Sequence, residues 1–198
     1  MNVTSNFLSR HHIHLPSFST MRLRSSCNCT LVLLGIWICI YGAVHHKYIV
    51  SPVAIVLLLS AHILAAKHGM IETCIVVMSG VIGAGVECVN LFAGIYQYTD
   101  SYHEPALLPT WVIMVWFLLG TTTRQVFHYL PKQIASQAIA GAVIGTSFYY
   151  VAAHMGAIIF TASNTPFSVI PVLLWSLAFP LIMYIGNRFF YNRDYATV

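Results

Sequence analysis

The sequence predicts an all-α membrane protein, a bundle of six transmembrane helices with both termini in the cytoplasm. The chain has 198 residues, of which 58% are hydrophobic and only 7% are charged, whereas soluble domains are about 25% charged. Its mean hydropathy is +0.77. The apolar residues are gathered into runs that approach the ~20 residues needed to cross the hydrocarbon core of a bilayer.

The order of the elements follows from these runs. Backbone groups in lipid must pair within their own segment, so each run is predicted to be a helix. We place a disordered cytoplasmic tail at 1–28, in which Met21 offers a second start, a helical domain at 29–187 and a cytoplasmic tail at 188–198. No internal repeat is evident. The six predicted spans are 29–46, 49–67, 71–94, 109–130, 134–156 and 167–187.

The basic residues predict the orientation, because cytoplasmic loops carry an excess of Lys and Arg. With the N-terminus inside, seven of the nine basic residues fall on the inner side, Arg124 lies close to it, and Lys47 lies outside. This bias requires an even number of spans, which agrees with six. The sequence therefore predicts a multi-pass membrane protein with both termini in the cytoplasm. The seven inner residues are Arg10, Arg22, Arg24, Lys67, Lys132, Arg188 and Arg193.

Composition also limits the partners. A formal net charge of +4, dispersed along the chain, is too small for a nucleic-acid footprint. The Cys27-x-Cys29 pair has no second pair, so no metal site is predicted. The expected partners are the lipid bilayer and a lipophilic small molecule. The sequence leaves both the cofactor and the oligomeric state undetermined.

Glu87 is the main candidate for a functional residue. It lies in the apolar run 80–94, where a carboxylate costs about 3 kcal/mol on insertion scales. Residues three or four positions apart along this run form one helical stripe of small and polar side chains. Such a stripe faces other helices. It contains Gly80, Gly83, Glu87, Asn90 and Gly94.

The residues around Glu87 can be predicted from their depth below the outer membrane surface. At ~1.5 Å of rise per residue, Glu87 lies roughly 10 Å below the outer surface. The same depth on other helices predicts a pocket of aromatic side chains beside Glu87 and Asn90. The alternative is an ordinary interfacial belt, which we expect of Trp111, Tyr96 and Tyr98. The predicted pocket residues are Trp116, Tyr149, Tyr150 and Trp175, with the Trp37–Tyr41 region at the same depth.

A second group of polar residues is predicted at the inner end of the fourth span. Arg124 lies about 12 Å deeper than Glu87, so a direct ion pair between them is not expected. We predict that Arg124 snorkels towards the cytoplasm or binds a carboxylate or phosphate there. With His128 it forms a predicted inner polar patch, and an anchored helix end is the alternative.

Short motifs spread over residues 30–187 resemble a known family. They are Gly83 to Glu87, Pro109-x-Trp111, Trp116, Gly141 to Gly145, Tyr149-Tyr150, Gly156-Ala157, Trp175 and Pro180. On these residues the chain resembles the bacterial inner-membrane family called domain of unknown function 2878, which brings no established activity. The run Glu87-x6-Gly94-x-Tyr96-x-Tyr98, followed by Pro109-x-Trp111, is similar to carotenoid hydratases and isoprenoid cyclases of membranes.

Three functions remain open at this point. A non-catalytic protein would use Glu87 to bind a proton or to hold the helices together. An enzyme would use Glu87 as a general acid on an isoprenoid or other lipophilic substrate, because a carboxyl group in a dry pocket tends to keep its proton. A small carrier would couple to a proton or cation at Glu87. We predict that Glu87 is neutral at pH 7.

Overall fold

A computed structural model describes residues 18–99, 108–125, 133–161 and 163–194. Apolar runs form helices throughout this part of the chain, as expected of segments whose backbone polar groups must pair internally. The described elements, in chain order, are α1 (Phe18–Val44), α2 (Val50–Ala65), α3 (Gly69–Phe92), β1 (Tyr96–Tyr98), α4 (Thr110–Gln125), α5 (Ile134–His154), β2 (Ile158–Phe160) and α6 (Val169–Asp194).

The predicted helical-bundle class is confirmed. Four of the helices are long and apolar enough to cross a membrane, namely α1 from Ser25, α3, α5, and α6 as far as Arg188. Helices α2 and α4 have 16 described residues each. The protein is therefore a multi-pass membrane protein, while the count of six spans and the inner position of both termini stay predictions.

The elements differ from the sequence prediction at the start of the first helix, at the end of the last helix and in two connections. Helix α1 begins at Phe18, inside the predicted tail, and α6 runs to Asp194. Two short strands also occupy the connections after α3 and α5, where no regular structure was expected. Residues 1–17 and 195–198 lie outside the described part of the chain.

Helix α3 lies at the centre of the bundle. It packs against α4 and α6, while α1 packs against α4 and α2, and α5 packs mainly against α6. Its buried face carries Glu72 and Glu87 near its two ends, with small residues between them. This face is the predicted stripe extended towards the inner end of the helix.

Two glycines hold a pair of indole rings inside the bundle. Trp116 and Trp175 stack with ring centroids 4.3 Å apart and an interplanar angle of 28°. A Cβ on Gly83 would overlap the Trp116 ring, and one on Gly145 would overlap the Trp175 ring. The face of α5 that carries Gly141 and Gly145 therefore receives the Trp175 side chain as well as the backbone of α6.

Helices α3 and α5 end in the same way. Gly94 and Gly156 have φ of 65° and 83°, the left-handed conformation that glycine adopts without a Cβ penalty. In each case the two N–H groups after the helix bond back to its last turn, which is a Schellman motif. The bonds are Ile95 N to Asn90 O (3.0 Å), Gly94 N to Leu91 O (2.9 Å), Ala157 N to Ala152 O (2.8 Å) and Gly156 N to Ala153 O (3.0 Å).

These turns send both strands back across the end of the bundle. β1 and β2 pair antiparallel, with Gln97 opposite Ile159 in the centre. Along β1, Tyr96 and Tyr98 are buried and Gln97 is exposed. The two tyrosines therefore lie on the face of the sheet that covers the helices.

Candidate functional site: a carboxyl group enclosed by hydroxyls and indoles

Glu87 is fully buried and accepts four hydrogen bonds from side chains. Oε2 accepts from the hydroxyls of Tyr96 and Tyr98, the latter at 2.8 Å. Oε1 accepts from Trp116 Nε1 and from the Tyr149 hydroxyl, both at 3.0 Å. Two donors on each oxygen use about all the lone-pair sites of a carboxylate. The group is thus satisfied without water.

The donors come from three elements that surround α3. Tyr96 and Tyr98 belong to β1, Trp116 belongs to α4, and Tyr149 belongs to α5. One carboxyl group therefore ties the covering strand and two further helices to α3.

Asn90, one turn after Glu87 on α3, extends the network. Its Nδ2 donates to the Tyr149 hydroxyl at 3.0 Å, so Tyr149 accepts from Asn90 while it donates to Glu87. The Asn90 Oδ1 atom is buried and has no hydrogen-bond partner among the described residues. The amide thereby fixes the orientation of the phenol that holds the acid.

Aromatic rings enclose this network. The Trp175 ring lies edge-on to Tyr149, with centroids 6.2 Å apart, and stacks on Trp116. Trp111 lies edge-on to Tyr98 at 5.7 Å, and Phe148 packs beside Trp111 and Trp175. The carboxyl group thus sits between hydroxyl donors and apolar ring faces.

The network can accept either protonation state of Glu87. Burial raises the pKa values of Tyr96 and Tyr98 well above the ordinary value of a tyrosine, so both phenols keep their protons. Three of the four donors are hydroxyls, which can rotate and accept instead, whereas the Trp116 N–H can only donate. Adding a proton to Glu87 therefore requires one hydroxyl to turn and no heavy atom to move.

The structure brings together four of the predicted pocket residues around Glu87 and separates one. Trp116 and Tyr149 bond to it directly, Asn90 bonds through Tyr149, and Trp175 packs against two of these side chains. Tyr150 departs from the prediction, because it is 55% exposed and its ring stacks on His154. The next residue along a helix turns by about 100°, so adjacent tyrosines cannot both face the centre.

The first helix also departs from the depth estimate. Trp37 and Tyr41 are 52% and 47% exposed, so neither ring lies in the site. Ile40 and Cys39 occupy the buried side of α1 at this level. Depth along a helix does not decide which side of it faces the bundle.

Arg124 belongs to a second polar cluster at the N-terminal end of α3, which the sequence prediction places on the inner side. Its Nη1 donates to Glu72 Oε1 at 2.8 Å. On the other side of the carboxylate, His62 Nε2 lies 3.6 Å from Glu72 Oε2. We define these three residues as the inner cluster. His128, the second member of the predicted inner patch, lies outside the described residues.

Sequence reasoning missed three important residues. The sequence alone predicts an interfacial belt for Tyr96 and Tyr98, although tyrosines at alternate positions after a glycine are compatible with a strand that returns over the helix end. No motif singles out Glu72, although it lies in the first turn of α3 and an acid there could pair with Arg124. Each of these sequence patterns is only a few residues long. Neither can be interpreted without knowing where the other helices lie.

Comparison with known proteins supports the resemblance. The family described as "Protein of unknown function (DUF2878)" matches residues 26–181, which covers most of α1, all of α2 to α5 and half of α6. The chain belongs to this family. No curated protein and no solved structure matches. The match confirms the resemblance drawn from the motifs but carries no activity with it.

Proposed function

We propose that this member of the family is a non-catalytic protein of the bacterial inner membrane whose functional centre is a proton-binding site at Glu87. The observation that carries the proposal is the set of four donors around one buried carboxyl group, three of which are rotatable hydroxyls. No ion pair to Glu87 is found among the described side chains. A proton is therefore the simplest species that can neutralise it.

The site also has a mechanical consequence. Tyr96 and Tyr98 hold β1 onto the bundle through Glu87, and hydrogen bonds to a charged group are typically about twice as strong as neutral ones. Loss of a proton from Glu87 would strengthen these bonds, and gain of a proton would weaken them. Protonation is thus coupled to how firmly the strand covers the outer end of α3.

Infrared difference spectroscopy tests the proposal directly. Wild-type protein in a bilayer is titrated with pH, and the carboxyl stretch is compared with that of Glu87→Gln. We expect a protonated carboxyl band at pH 7 that disappears at high pH in the wild type and is missing from the variant. Ionisation of Glu87 in the range of a water-exposed carboxyl group would overturn the proposal.

A second candidate function is an enzyme in which Glu87 is a general acid. The observation that favours it is the aromatic lining, since faces of Trp and Tyr stabilise a passing cation such as one formed from an isoprenoid. Lipid extracts of a deletion strain, complemented with wild type or with Glu87→Gln, test this function. A lipid that accumulates in both the deletion and the variant supports the enzyme, and identical lipid profiles of all strains exclude it.

The proposed location and orientation have their own test. With both termini inside, reporter fusions at residues 100 and 160 should report the periplasm, and fusions at 132 and 198 should report the cytoplasm. A periplasmic C-terminus would contradict the six-span topology, because it requires an odd number of spans.

A further inference from the structure

The two strand-bearing segments of the chain match each other position by position. Adding 62 to a residue number in the first segment gives its counterpart in the second. The ends of α3 and α5 (Phe92 and His154), the left-handed glycines (Gly94 and Gly156) and the strands β1 and β2 all correspond in this way. The Schellman bonds described above correspond atom by atom as well.

The pairing of the strands adds an independent observation. Under the same offset Gln97 corresponds to Ile159, and these two residues face each other in the centre of the sheet. The flanking pairs, Tyr96 with Phe160 and Tyr98 with Ile158, exchange under the offset. An antiparallel pair with this register has a local twofold axis through its centre.

Hydrogen bonds beyond the strands obey the same exchange. Thr99 N donates to Ala157 O at 3.2 Å, and Thr161 N donates to Ile95 O at 3.1 Å. The Thr99 hydroxyl donates to Gly156 O and the Thr161 hydroxyl to Gly94 O, both at 2.8 Å. Each threonine therefore caps the helix end of the other segment.

The helices that follow the strands continue the correspondence with an offset of 59 instead of 62, because the connection after β2 is three residues shorter than the one after β1, so Trp116 corresponds to Trp175. Gly83 lies under the Trp116 ring and its counterpart Gly145 lies under the Trp175 ring. Ser79 Oγ donates to the Trp116 carbonyl oxygen at 2.8 Å, and a Cβ on its counterpart Gly141 would lie 2.5 Å from the Trp175 carbonyl oxygen. The two indoles then stack on each other between the segments.

We propose that α3–β1–α4 and α5–β2–α6 are two copies of one helix–strand–helix unit, related at the strands and the adjoining helix ends by a local twofold axis, and that Glu87 and Tyr149 are equivalent positions that meet near this axis as one site. The 3.0 Å hydrogen bond from Tyr149 to Glu87 is then a contact between counterparts. Glu87 supplies the acid and Tyr149 is its positioning residue.

The sequence hides this duplication because few positions coincide. Over 79–99 and 141–161, six of the 21 aligned positions are identical. Most are small or aliphatic residues that are common in membrane helices. The identical pairs are Val81 and Val143, Ile82 and Ile144, Gly83 and Gly145, Val89 and Val151, Gly94 and Gly156, and Thr99 and Thr161.

The equivalence has a functional meaning. In membrane proteins built from parallel repeats, the groups that bind ions and substrates lie at the interface between the repeats. Among the described residues, Glu87 of the first unit is the acid at this meeting point and its counterpart is Tyr149, so the two units share a single proton site.

A residue swap tests the equivalence. Glu87→Tyr places two phenols in one space, and Tyr149→Glu places two carboxyl groups there, so each single change should lower the yield of folded protein several-fold. Because the positions are equivalent, the yield of the folded double variant Glu87→Tyr/Tyr149→Glu should recover to within about twofold of wild type. Such a recovery would show that the effects of the two substitutions are strongly coupled, as expected of residues in contact. A double variant no better than the worse single variant would overturn the proposal.

The matched control uses the next position of each helix, Cys88 and Tyr150. These are also counterparts, but Tyr150 is exposed and lies off the axis. Cys88→Tyr and Tyr150→Cys should therefore have additive effects, as expected for independent sites. Coupling as large as that of the Glu87 and Tyr149 pair would overturn the assignment of the axis.

Two further measurements separate this proposal from the proton-binding proposal. Thr99→Val and Thr161→Val each remove one of the two equivalent caps, so they should lower the melting temperature by similar amounts. A silent change at one and unfolding at the other would overturn the duplication even if the swapped protein does not fold. In the swapped protein, the infrared carboxyl band should persist from residue 149, whereas recovery of folding without that band would refute proton binding alone.

Discussion

The two buried carboxyl groups of α3 are stabilised in different ways. Glu72, in the first turn, has a guanidinium donor on one oxygen and an imidazole near the other. Glu87, near the last turn, has two tyrosines on one oxygen and a tyrosine and a tryptophan on the other. The first is compensated by charge and the second by neutral dipoles.

This difference in hydrogen-bond partners indicates a different role for each of the two carboxyl groups. Removal of one partner from a largely buried ion pair leaves an uncompensated charge, so the pair constrains both of its members. A carboxyl group among hydroxyls carries no such constraint, because its donors can reverse. We therefore assign the structural role to the inner cluster and the proton-binding role to Glu87.

Replacing each acid by its amide should give the largest contrast. Glu72→Gln leaves Arg124 without its carboxylate and should cost about 3–5 kcal/mol. Glu87→Gln keeps the shape and leaves no charge unpaired, so it should cost about 1 kcal/mol. Unfolding of purified protein in detergent measures both, and equal losses would abolish the distinction.

Combining Glu72→Gln with Arg124→Gln provides the control for that contrast. Removal of both charges should be less destabilising than Glu72→Gln alone, because the guanidinium that loses this carboxylate in the single variant is then absent too.

Complete removal of the outer acid should have the next largest effect. Glu87→Ala leaves four buried donors without their acceptor and opens a cavity among the rings, although some hydroxyls can bond to each other. We expect a loss of about 2–4 kcal/mol. The matched change Val89→Ala, at a position that is 47% exposed on the same helix, should stay within about 0.5 kcal/mol of wild type.

A bulky residue at Gly145 should disturb the outer centre through the indole pair. Gly145→Leu would displace Trp175 from Trp116, and overpacking typically costs about 1–3 kcal/mol. Val143→Leu, on the exposed side of α5, should have little effect on the melting temperature. Equal shifts in melting temperature for the two variants would mean that the Gly145 side of α5 is exposed to lipid.

Loss of one donor should produce the smallest effect. Tyr98→Phe removes one of the four hydroxyl or indole donors to Glu87 and should cost about 1 kcal/mol. Tyr150→Phe removes the same hydroxyl from an exposed ring and should be neutral by the same unfolding measurement. If Tyr98→Phe is equally silent, β1 is held by packing and Glu87 does not anchor it.

Part of the site could be predicted from depth. Counting the rise along each helix put Glu87, Trp116, Tyr149 and Trp175 at one level, and these four side chains do lie together. The same count included Trp37, Tyr41 and Tyr150, which face outwards, because depth carries no information on rotation about the helix axis. Nor could it include Tyr96 and Tyr98, whose chain leaves α3 and turns back towards Glu87.

The helices, their apolar character and the unusual place of Glu87 are determined by the sequence alone, since each depends on residues close together in the chain. The tertiary structure decided which side chains form hydrogen bonds with the two buried carboxyl groups. The bonds to Glu87 from Trp116 and Tyr149 span 29 and 62 residues, and that from Arg124 to Glu72 spans 52. Such bonds depend on how helices rotate and pack against one another, and the glycines beneath the two indoles set that packing by removing the side chains that would stand in the way.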